Sequence, residues 1–283
     1  MSRNVSSAVE PRGWTKFFLN ANGWLVYTFF YAPIVLLVIF SFSDSRNVGT
    51  WGGWTLDWYR EFGDNDTAQT ALWASLRVAL ISTVVSIVLG TMSALALERF
   101  EFKGKQVFDA LLYLPIIIPD VTMAVMLLLF FAEFFDVLNN LFGLDLRKGM
   151  GSIVASHIAF SVSFVSVVVR ARLAGMDDRM EEAALDLYAS RWQAFRYVTL
   201  PQTIPGIAGG GLLAMTLSLD DVVITEFVTG PGSTTLPVYV FGLIRRGVTP
   251  LINAISVIML VASMALVVLS LVVERARGGT GTQ

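Results

Sequence analysis

The sequence predicts an all-α, polytopic membrane protein with six transmembrane helices. Two observations predict this class. First, 55% of the 283 residues are hydrophobic and only 15% are charged, a composition typical of membrane proteins. Second, a spanning helix needs about 20 mostly apolar residues, and six stretches of the chain meet that need: Gly23–Phe42, Val78–Leu97, Ala110–Ala132, Met150–Val169, Ile204–Val228 and Leu251–Val273.

Composition excludes several classes of protein. The formal net charge of −2 argues against a nucleic-acid-binding protein, which needs a concentrated basic excess. The chain contains no cysteine, which excludes disulfides, thiolate zinc sites and cysteine nucleophiles. The first apolar stretch is too long for a signal-peptide core and is followed by "SFSDSRN" rather than by a small-residue cleavage site, so we interpret it as a retained span.

The distribution of basic residues predicts the orientation in the membrane. With the N-terminus inside, the inner segments hold 13 of the 20 Lys and Arg residues and the outer segments hold 7. Because basic residues stay on the cytoplasmic side, both termini are expected there. The predicted organisation is a cytoplasmic N-terminal segment (1–22), a six-helix membrane domain (23–273) with a cytoplasmic loop at about 170–203, and a cytoplasmic tail (274–283).

One segment between the fourth and fifth predicted spans is unusually polar, and we call it the charged insert. It reads "EEAALDLYASRWQAFRYVTLPQTIPG" and starts at Glu181. Its first part consists of strong helix formers, and apolar residues recur there as on one face of a short amphipathic helix: Ala184, Leu185 and Tyr188. Pro201 and Pro205 are predicted to break the helix before the fifth span begins. A short helix held between two spans is suited to act as a lever for a soluble partner.

Four acidic side chains fall inside predicted spans: Asp120, Asp220, Asp221 and Glu226. By the helical rise, Asp120 lies about 15 Å into the third span and Asp220, next to Asp221, about 24 Å into the fifth. An acid at such depth costs about 2.5 to 3.5 kcal/mol on insertion scales, which is normally tolerated only beside water, a partner charge or a ligand. We therefore interpret these acids as candidates for a substrate pathway. Alternatively, they cap broken helices or pair with basic residues near the outer surface: Arg77, Arg245 and Arg246.

The neighbouring acids of the fifth span are expected to have different roles. Successive residues of a helix point about 100° apart, so Asp220 and Asp221 do not face the same axis. We expect one of them in the pathway and the other at a helix interface. Glu226 points away from both, and we assign it to the outer mouth of the pathway, together with the Gly-Pro-Gly turn at 230–232.

Two of the predicted spans carry the same proline pattern. "LPIIIP" (Leu114–Pro119) and "LPQTIP" (Leu200–Pro205) both read L-P-x-x-I-P. Prolines in a span leave backbone carbonyls that protein or water must cover. Both segments are therefore predicted to line the pathway near its cytoplasmic side. His157, the only histidine, has no second metal ligand in its vicinity, so a packing role is predicted for it.

Six positions of the charged insert match a known motif: Glu182, Ala183, Ala184, Val198, Leu200 and Pro201. With their spacing they resemble the EAA loop of the membrane subunits of binding-protein-dependent ABC importers. The resemblance implies that the insert forms a coupling helix that docks on an ATPase subunit. Tyr188 stands where the family usually has glycine. We therefore expect that the turn is made differently there or that the contact with the ATPase is altered.

Three further stretches carry a more specific resemblance: "TWGGWTLDWYREF" (Thr50–Phe62), "LPIIIPDV" (Leu114–Val121) and "TLSLDDVVITEFVTGPGSTTLP" (Thr216–Pro237). They look like the putrescine/spermidine branch of these importers, in particular its second permease subunit. The resemblance implies a type I importer permease fold in the bacterial inner membrane, paired with a second permease. It also implies two ATPase subunits, a periplasmic polyamine-binding protein, and import of putrescine or spermidine.

Nucleotide chemistry is not expected in this chain. A phosphate-binding loop needs G-x-x-x-x-G-K-[ST], whereas the only Gly-Lys pair, Gly104-Lys105, is followed by Gln106. The resemblance implies that ATP and Mg bind to the partner ATPase subunits, and no cofactor, metal ligand or catalytic residue is assigned here. A polyamine carries two or more ammonium groups on an alkyl stem. Its path therefore needs carboxylates for the charged groups and aromatic or apolar walls for the stem.

Three alternatives stay open at the level of sequence. One is an importer for another organic cation or small solute. The second is an ion-coupled secondary carrier that uses Asp120 and Asp220 as proton or cation sites; it predicts inverted repeats, whereas the one repeat seen here is parallel. The third is an intramembrane aspartyl hydrolase, in which two acids share a proton. The sequence shows no glycine-flanked aspartate of that type.

Overall fold

The computed structural model describes residues 13–177, 179–247 and 249–278. Within these ranges the secondary structure is helical, with one isolated bridge between Ser43 and Trp54 and no strand. Twelve α-helices and one π-helical turn (Phe195–Thr199) are found in the described ranges. The helices are α1 Gly13–Phe40, α2 Asp57–Asp64, α3 Asp66–Arg99, α4 Lys105–Ile117, α5 Asp120–Phe142, α6 Met150–Ala174, α7 Arg179–Asp186, α8 Arg191–Ala194, α9 Leu200–Asp220, α10 Val223–Val228, α11 Leu236–Arg246 and α12 Pro250–Gly278.

The described residues fall into two compact units, drawn from Met1–Phe62 with Val248–Ile258 and from Gly63–Gly247 with Met259–Gln283. In the first unit the chain that follows α1 folds back on itself. Trp58 Nε1 donates a hydrogen bond to the Ser43 carbonyl at 2.8 Å. The second unit contains all the predicted site residues. The cytoplasmic N-terminal segment predicted at 1–22 lies largely outside the described residues, as does part of the tail predicted at 274–283.

Among the described residues, five helices are long and apolar enough to cross a membrane: α1, α3, α5, α6 and α12 through Val268. They correspond to every predicted span except the fifth. The helix in the fifth, α9, contains three adjacent glycines, two prolines and several polar side chains, and it is not among the helices that meet this requirement. The structure therefore supports five of the six spans, and a crossing by α9 stays a prediction.

The prediction of a continuous third span is wrong. α4 ends at Ile117 and α5 begins at Asp120, and the residues between them, Ile118 and Pro119, have ψ angles of 130° and 138°. Pro119 explains the break, because a proline disfavours helical backbone at the residue before it. Asp120 is therefore the first residue of α5, not a residue about 15 Å inside a helix.

The fifth predicted span is also wrong at its outer end, because the helix does not continue to Val228. α9 ends at Asp220, and Asp221 has an extended backbone (φ −68°, ψ 126°). A separate short helix, α10, begins at Val223. The stretch over which the depth of Asp220 was calculated, from Ile204, lies within α9, but Asp220 is the last residue of that helix and not a residue inside a longer one.

The predicted helix break before the fifth span is absent. α8, the π-helical turn and α9 follow one another directly from Arg191 to Asp220, with Pro201 in the first turn of α9 and Pro205 inside it. In a regular helix the Pro201 ring would collide with the carbonyl four residues earlier, and the π-helical turn lies at that place. The two L-P-x-x-I-P segments therefore differ, since one contains a break and the other does not.

The second unit is centred on α3, α6 and α9, which approach one another at glycines. A Cβ atom at Gly90 would lie 2.7 Å from Val165 Cβ, and one at Gly211 would lie 2.5 Å from Ile87 Cδ1. Such close contacts leave no room for a larger side chain. An apolar cluster joins α5, α6 and α10 through buried side chains: Met123, Phe131, Ile153, Phe160, Ile224 and Val228. The junction between α9 and α10 therefore lies against α6.

Candidate functional site

The junction between α9 and α10 separates the two adjacent acids. Asp220 is the last residue of α9 and is exposed. Within the described part of the chain its carboxylate is in no ion pair. The side chain of Asp221, by contrast, is only 11% exposed. The two acids therefore have different environments. The difference arises because α9 ends between them, and not from the offset of about 100° between successive residues of a helix.

Asp221 caps the start of α10. Its Oδ2 accepts hydrogen bonds from the backbone N–H and from Oγ1 of Thr225, both at 2.7 Å. Its Oδ1 accepts a longer hydrogen bond of 3.3 Å from the Ile224 N–H. A carboxylate in this place satisfies backbone N–H groups that have no partner within the helix. The contacts of Asp221 are thus those of a helix cap, which was the alternative interpretation of these acids.

His157 connects the two sides of the junction. Its ring lies on α6 and is 1% exposed. Nδ1 lies 2.7 Å from Ser218 Oγ on α9, and Nε2 lies 2.9 Å from Thr225 Oγ1 on α10. Nε2 is also 3.4 Å from Asp221 Oδ2, and Ser218 Oγ is 3.2 Å from Ser82 Oγ on α3. The prediction of a packing role for His157 is therefore incomplete. Its buried ring also belongs to a polar network that joins four helices.

The hydrogen bonds of this network have one consistent direction. Because the Thr225 hydroxyl donates to Asp221, its oxygen accepts from Nε2–H of His157. In the neutral imidazole Nδ1 is then the acceptor, and the Ser218 hydroxyl donates to it. The Asp221 carboxylate is the final acceptor. A buried polar network stabilises one conformation when its members are satisfied in this way.

Of the four predicted pathway acids, only Asp221 belongs to this network. Glu226 Oε1 on α10 lies 3.8 Å from Arg245 Nη1, and the Arg245 guanidinium carbon lies 4.5 Å from the centroid of the Phe241 ring. Asp120 is exposed in the first turn of α5, where an acid complements the helix dipole. Within the described residues, no three His, Asp or Glu side chains are grouped so as to hold a metal ion.

The charged insert begins with the short helix α7, as the sequence predicts, although the helical face proposed for it is wrong because Tyr188 lies beyond the helix end. Of the motif residues, Glu182 and Ala183 are exposed and Ala184 is half-buried. Large apolar side chains are exposed beside them. We call these exposed residues the coupling surface: Met180, Glu182, Ala183, Leu187, Tyr188 and Trp192.

Tyr188 makes the turn after α7 with a left-handed backbone. Its φ is 62°, and it is the one non-glycine among the described residues with a positive φ. The Tyr188 N–H donates to the Leu185 carbonyl at 3.0 Å, and the Ala189 N–H donates to the Ala184 carbonyl at 3.1 Å. This pair of bonds is the Schellman motif, whose left-handed residue is usually glycine. The expectation that the turn is made differently is therefore wrong, and the tyrosine side chain is 98% exposed.

Glu181, the neighbour of the motif residue Glu182, ties α7 to other helices. Its Oε2 accepts a hydrogen bond of 2.8 Å from Thr199 Oγ1 and lies 3.2 Å from Arg99 Nη2. Arg99 ends α3, and Thr199 ends the π-helical turn that leads into α9. Leu200 and Pro201, the remaining predicted coupling residues, form the first turn of α9 directly after Thr199. Glu181 was not among the predicted coupling residues, because its partners are distant along the chain.

Comparison with known proteins shows the family of this chain. The profile of the family described as "Binding-protein-dependent transport system inner membrane component" matches residues 86–277. The chain is 42% identical to the putrescine transport system permease protein PotI of Escherichia coli K12 over 237 residues, which are 83% of each protein. It is 39% identical to the spermidine/putrescine transport system permease protein PotC of Haemophilus influenzae over 262 residues, 92% of this chain and 98% of PotC.

Solved structures show the same fold. A chain of a bacterial ABC transporter involved in the import of the acidic polysaccharide alginate superposes with a TM-score of 0.78 at 17% identity, over 94% of this chain and 96% of that one. The alginate transporter in complex with its alginate pentasaccharide-bound periplasmic protein gives a TM-score of 0.71 at 18% identity, over 90% and 92% of the two chains. The predicted fold of a type I ABC importer permease is thereby confirmed, and the chain belongs to the inner membrane components of binding-protein-dependent transport systems.

Proposed function

We propose that this chain is a permease subunit that imports a polyamine, putrescine or spermidine, across the bacterial inner membrane by ATP-driven alternating access. The similarity to PotI and PotC over most of the chain carries the proposal, because both relatives are named as permeases for these cations. The fold shared with the alginate importer supports the transport mode and not the substrate. The alternatives are an ABC permease for another organic cation or small solute and, at lower rank, an ion-coupled secondary carrier.

The proposed cation contact is Asp220. It is an exposed carboxylate at the end of α9, beside a helix break, and broken helices commonly form substrate sites in transporters. Asp221 is occupied as a helix cap, so its contribution to the pathway is structural. Asp120 and Glu226 are retained as further pathway acids, with Glu226 near the outer mouth and held by Arg245.

The proposed partners are a second permease subunit, two ATPase subunits that bind ATP and Mg, and a periplasmic polyamine-binding protein. The coupling surface is the proposed contact with an ATPase subunit, because it carries the EAA-type residues and several exposed apolar side chains at the end of a short helix. This arrangement requires the charged insert and both termini to be cytoplasmic.

Reconstitution tests the proposal as a whole. The complex would be purified with its co-eluting subunits and inserted into proteoliposomes with the binding protein outside and ATP inside. We expect putrescine or spermidine uptake that stops when ATP is replaced by a non-hydrolysable analogue. Uptake without ATP, driven by an ion gradient, would favour the secondary carrier. ATP-dependent uptake of a different cation, with no competition from polyamines, would overturn the substrate assignment.

A further inference from the structure

We propose that His157 is a positioning residue for cation transport, which aims the Asp220 carboxylate by holding the junction between α9 and α10 in one conformation. The inference deepens the proposed function and rests on it, because it assigns a second residue to the same site. His157 does not touch the cation in this proposal. It acts through the backbone on either side of Asp220.

The junction needs an external support. A continuous helix fixes the direction of each side chain through its own hydrogen bonds, but α9 ends at Asp220, and the residue that follows has an extended backbone. Each residue outside a helix regains conformational freedom, and rotations at Asp221 and Val222 would change the direction of α10 relative to α9. The Asp220 side chain at the end of α9 would then have no fixed position relative to α10.

His157 supplies that support from a third helix. Its two ring nitrogens bond to Ser218, two residues before Asp220, and to Thr225, which lies on the first turn of α10. The imidazole is planar and rigid, so the positions of its two nitrogens fix the separation of these partners. The ring is buried, which removes water as a competing partner.

No other side chain described in the structure makes this connection. Asp221 bonds to the start of α10, through Ile224 and Thr225, and its polar contact with α6 is with His157 itself, whose Nε2 lies 3.4 Å from Oδ2. Ser152 donates to the Val228 carbonyl at the far end of α10 and makes no bond to α9. Within the described residues, His157 is thus the one side chain hydrogen-bonded to both α9 and α10.

A double-mutant cycle between His157 and Asp220 tests the inference. The readout is the putrescine concentration that gives half-maximal uptake by complexes matched for membrane abundance. We expect His157→Ala to raise this concentration about tenfold in the wild-type background and less than about twofold in the Asp220→Asn background. His157→Gln, whose amide retains a donor and an acceptor, is expected to restore much of the loss. Ser156→Ala is the matched control, because Ser156 is an equally buried neighbour that bonds only to the Ser152 carbonyl of its own helix.

The outcomes distinguish this inference from the proposed function. If Asp220→Asn alone leaves uptake unchanged, the proposed cation contact fails and the role of His157 fails with it. If Asp220→Asn impairs uptake but His157→Ala raises the half-maximal concentration equally in both backgrounds, only the positioning role is overturned. If the His157→Ala protein does not accumulate, Ser218→Ala replaces it in the cycle, because that change removes the α9 side of the bridge alone, and the same two patterns decide.

Discussion

The Glu181 carboxylate on α7 accepts a hydrogen bond of 2.8 Å from the Thr199 hydroxyl, at the end of the π-helical turn before α9. The same carboxylate oxygen pairs with Arg99 at the end of α3. α9 has 21 residues and is about 30 Å long. A contact at one end of α9 is therefore mechanically connected to Asp220 at the other. Glu181 links the helix proposed to receive the ATPase to the helix proposed to carry the cation contact.

Removing this link is expected to uncouple transport from ATP hydrolysis. Glu181→Ala deletes one hydrogen bond and one partly exposed ion pair, together worth about 1 kcal/mol, so we expect about a fivefold fall in substrate-stimulated ATPase activity with basal activity retained. The complex should still assemble. Glu101→Ala is the matched control, because the pair of Glu101 with Lys105 links residues of one local segment and the Glu101 side chain is 90% exposed. Full substrate stimulation in the Glu181→Ala complex would contradict the link.

The neighbouring acid is expected to behave differently. Glu182 is exposed on the coupling surface, so Glu182→Lys should disturb the contact with the ATPase and leave the permease itself folded. We expect binding of the ATPase subunits to weaken about tenfold or more, since a reversed charge at an interface opposes association. Co-purification from detergent measures this effect. Undiminished binding by Glu182→Lys would argue against the coupling surface.

Substitutions of Tyr188 test whether the left-handed turn after α7 is strained. A non-glycine residue in this backbone conformation costs about 1 to 2 kcal/mol, so we expect Tyr188→Gly to keep or slightly raise the thermal stability of the complex. Tyr188→Val, with a β-branched side chain, should lower it. Equal stability of the two variants would contradict the strain at this position. Lost uptake in a stable Tyr188→Gly complex would show that the exposed ring makes a contact of its own with a partner.

The proposed orientation can be tested by single cysteines, because the chain has none of its own. Ser190 lies in the charged insert and Thr234 follows the Gly-Pro-Gly turn, and both are exposed. We expect a membrane-impermeant thiol reagent to label Thr234→Cys from the periplasm in intact cells. Ser190→Cys should be labelled only after the cytoplasmic side is opened. The reverse labelling pattern would place the coupling surface on the periplasmic side and contradict the proposed orientation.

The broad fold could be predicted from the sequence because the apolar stretches are long enough to stand out by composition alone. The helix breaks could not be placed as well, since their causes act locally and differ. Pro119 ends α4, whereas Pro201 and Pro205 are accommodated within a helical segment that includes a π-helical turn. The same six-residue pattern therefore occurs in two different local structures, one with a helix break and one without.

The site residues show a similar limit. Asp220 and Asp221 are alike in sequence, and their difference arises because Asp221 meets the N–H groups of α10 after the break. Glu181 and Glu182 have the same local propensity, and the partners of Glu181 are on other helices. The polar contacts of His157 could not be predicted from the sequence, because its partners Ser218 and Thr225 are distant along the chain. Contacts of this kind depend on tertiary packing, which no local pattern encodes.

The central claim is that an exposed carboxylate at the end of α9 meets the transported cation while its neighbour only holds the fold. Uptake of putrescine and spermidine by Asp220→Asn and Asp221→Asn complexes, matched for membrane abundance, tests it most directly. We expect Asp220→Asn to lower uptake about 10- to 150-fold per complex, the effect of losing one charge-assisted contact in the rate-limiting state. Asp221→Asn should mainly lower the amount of folded protein, because both carboxylate oxygens of Asp221 accept hydrogen bonds and the Asn amide has only one acceptor oxygen. Unaltered uptake of both polyamines by the Asp220→Asn complex would contradict the account.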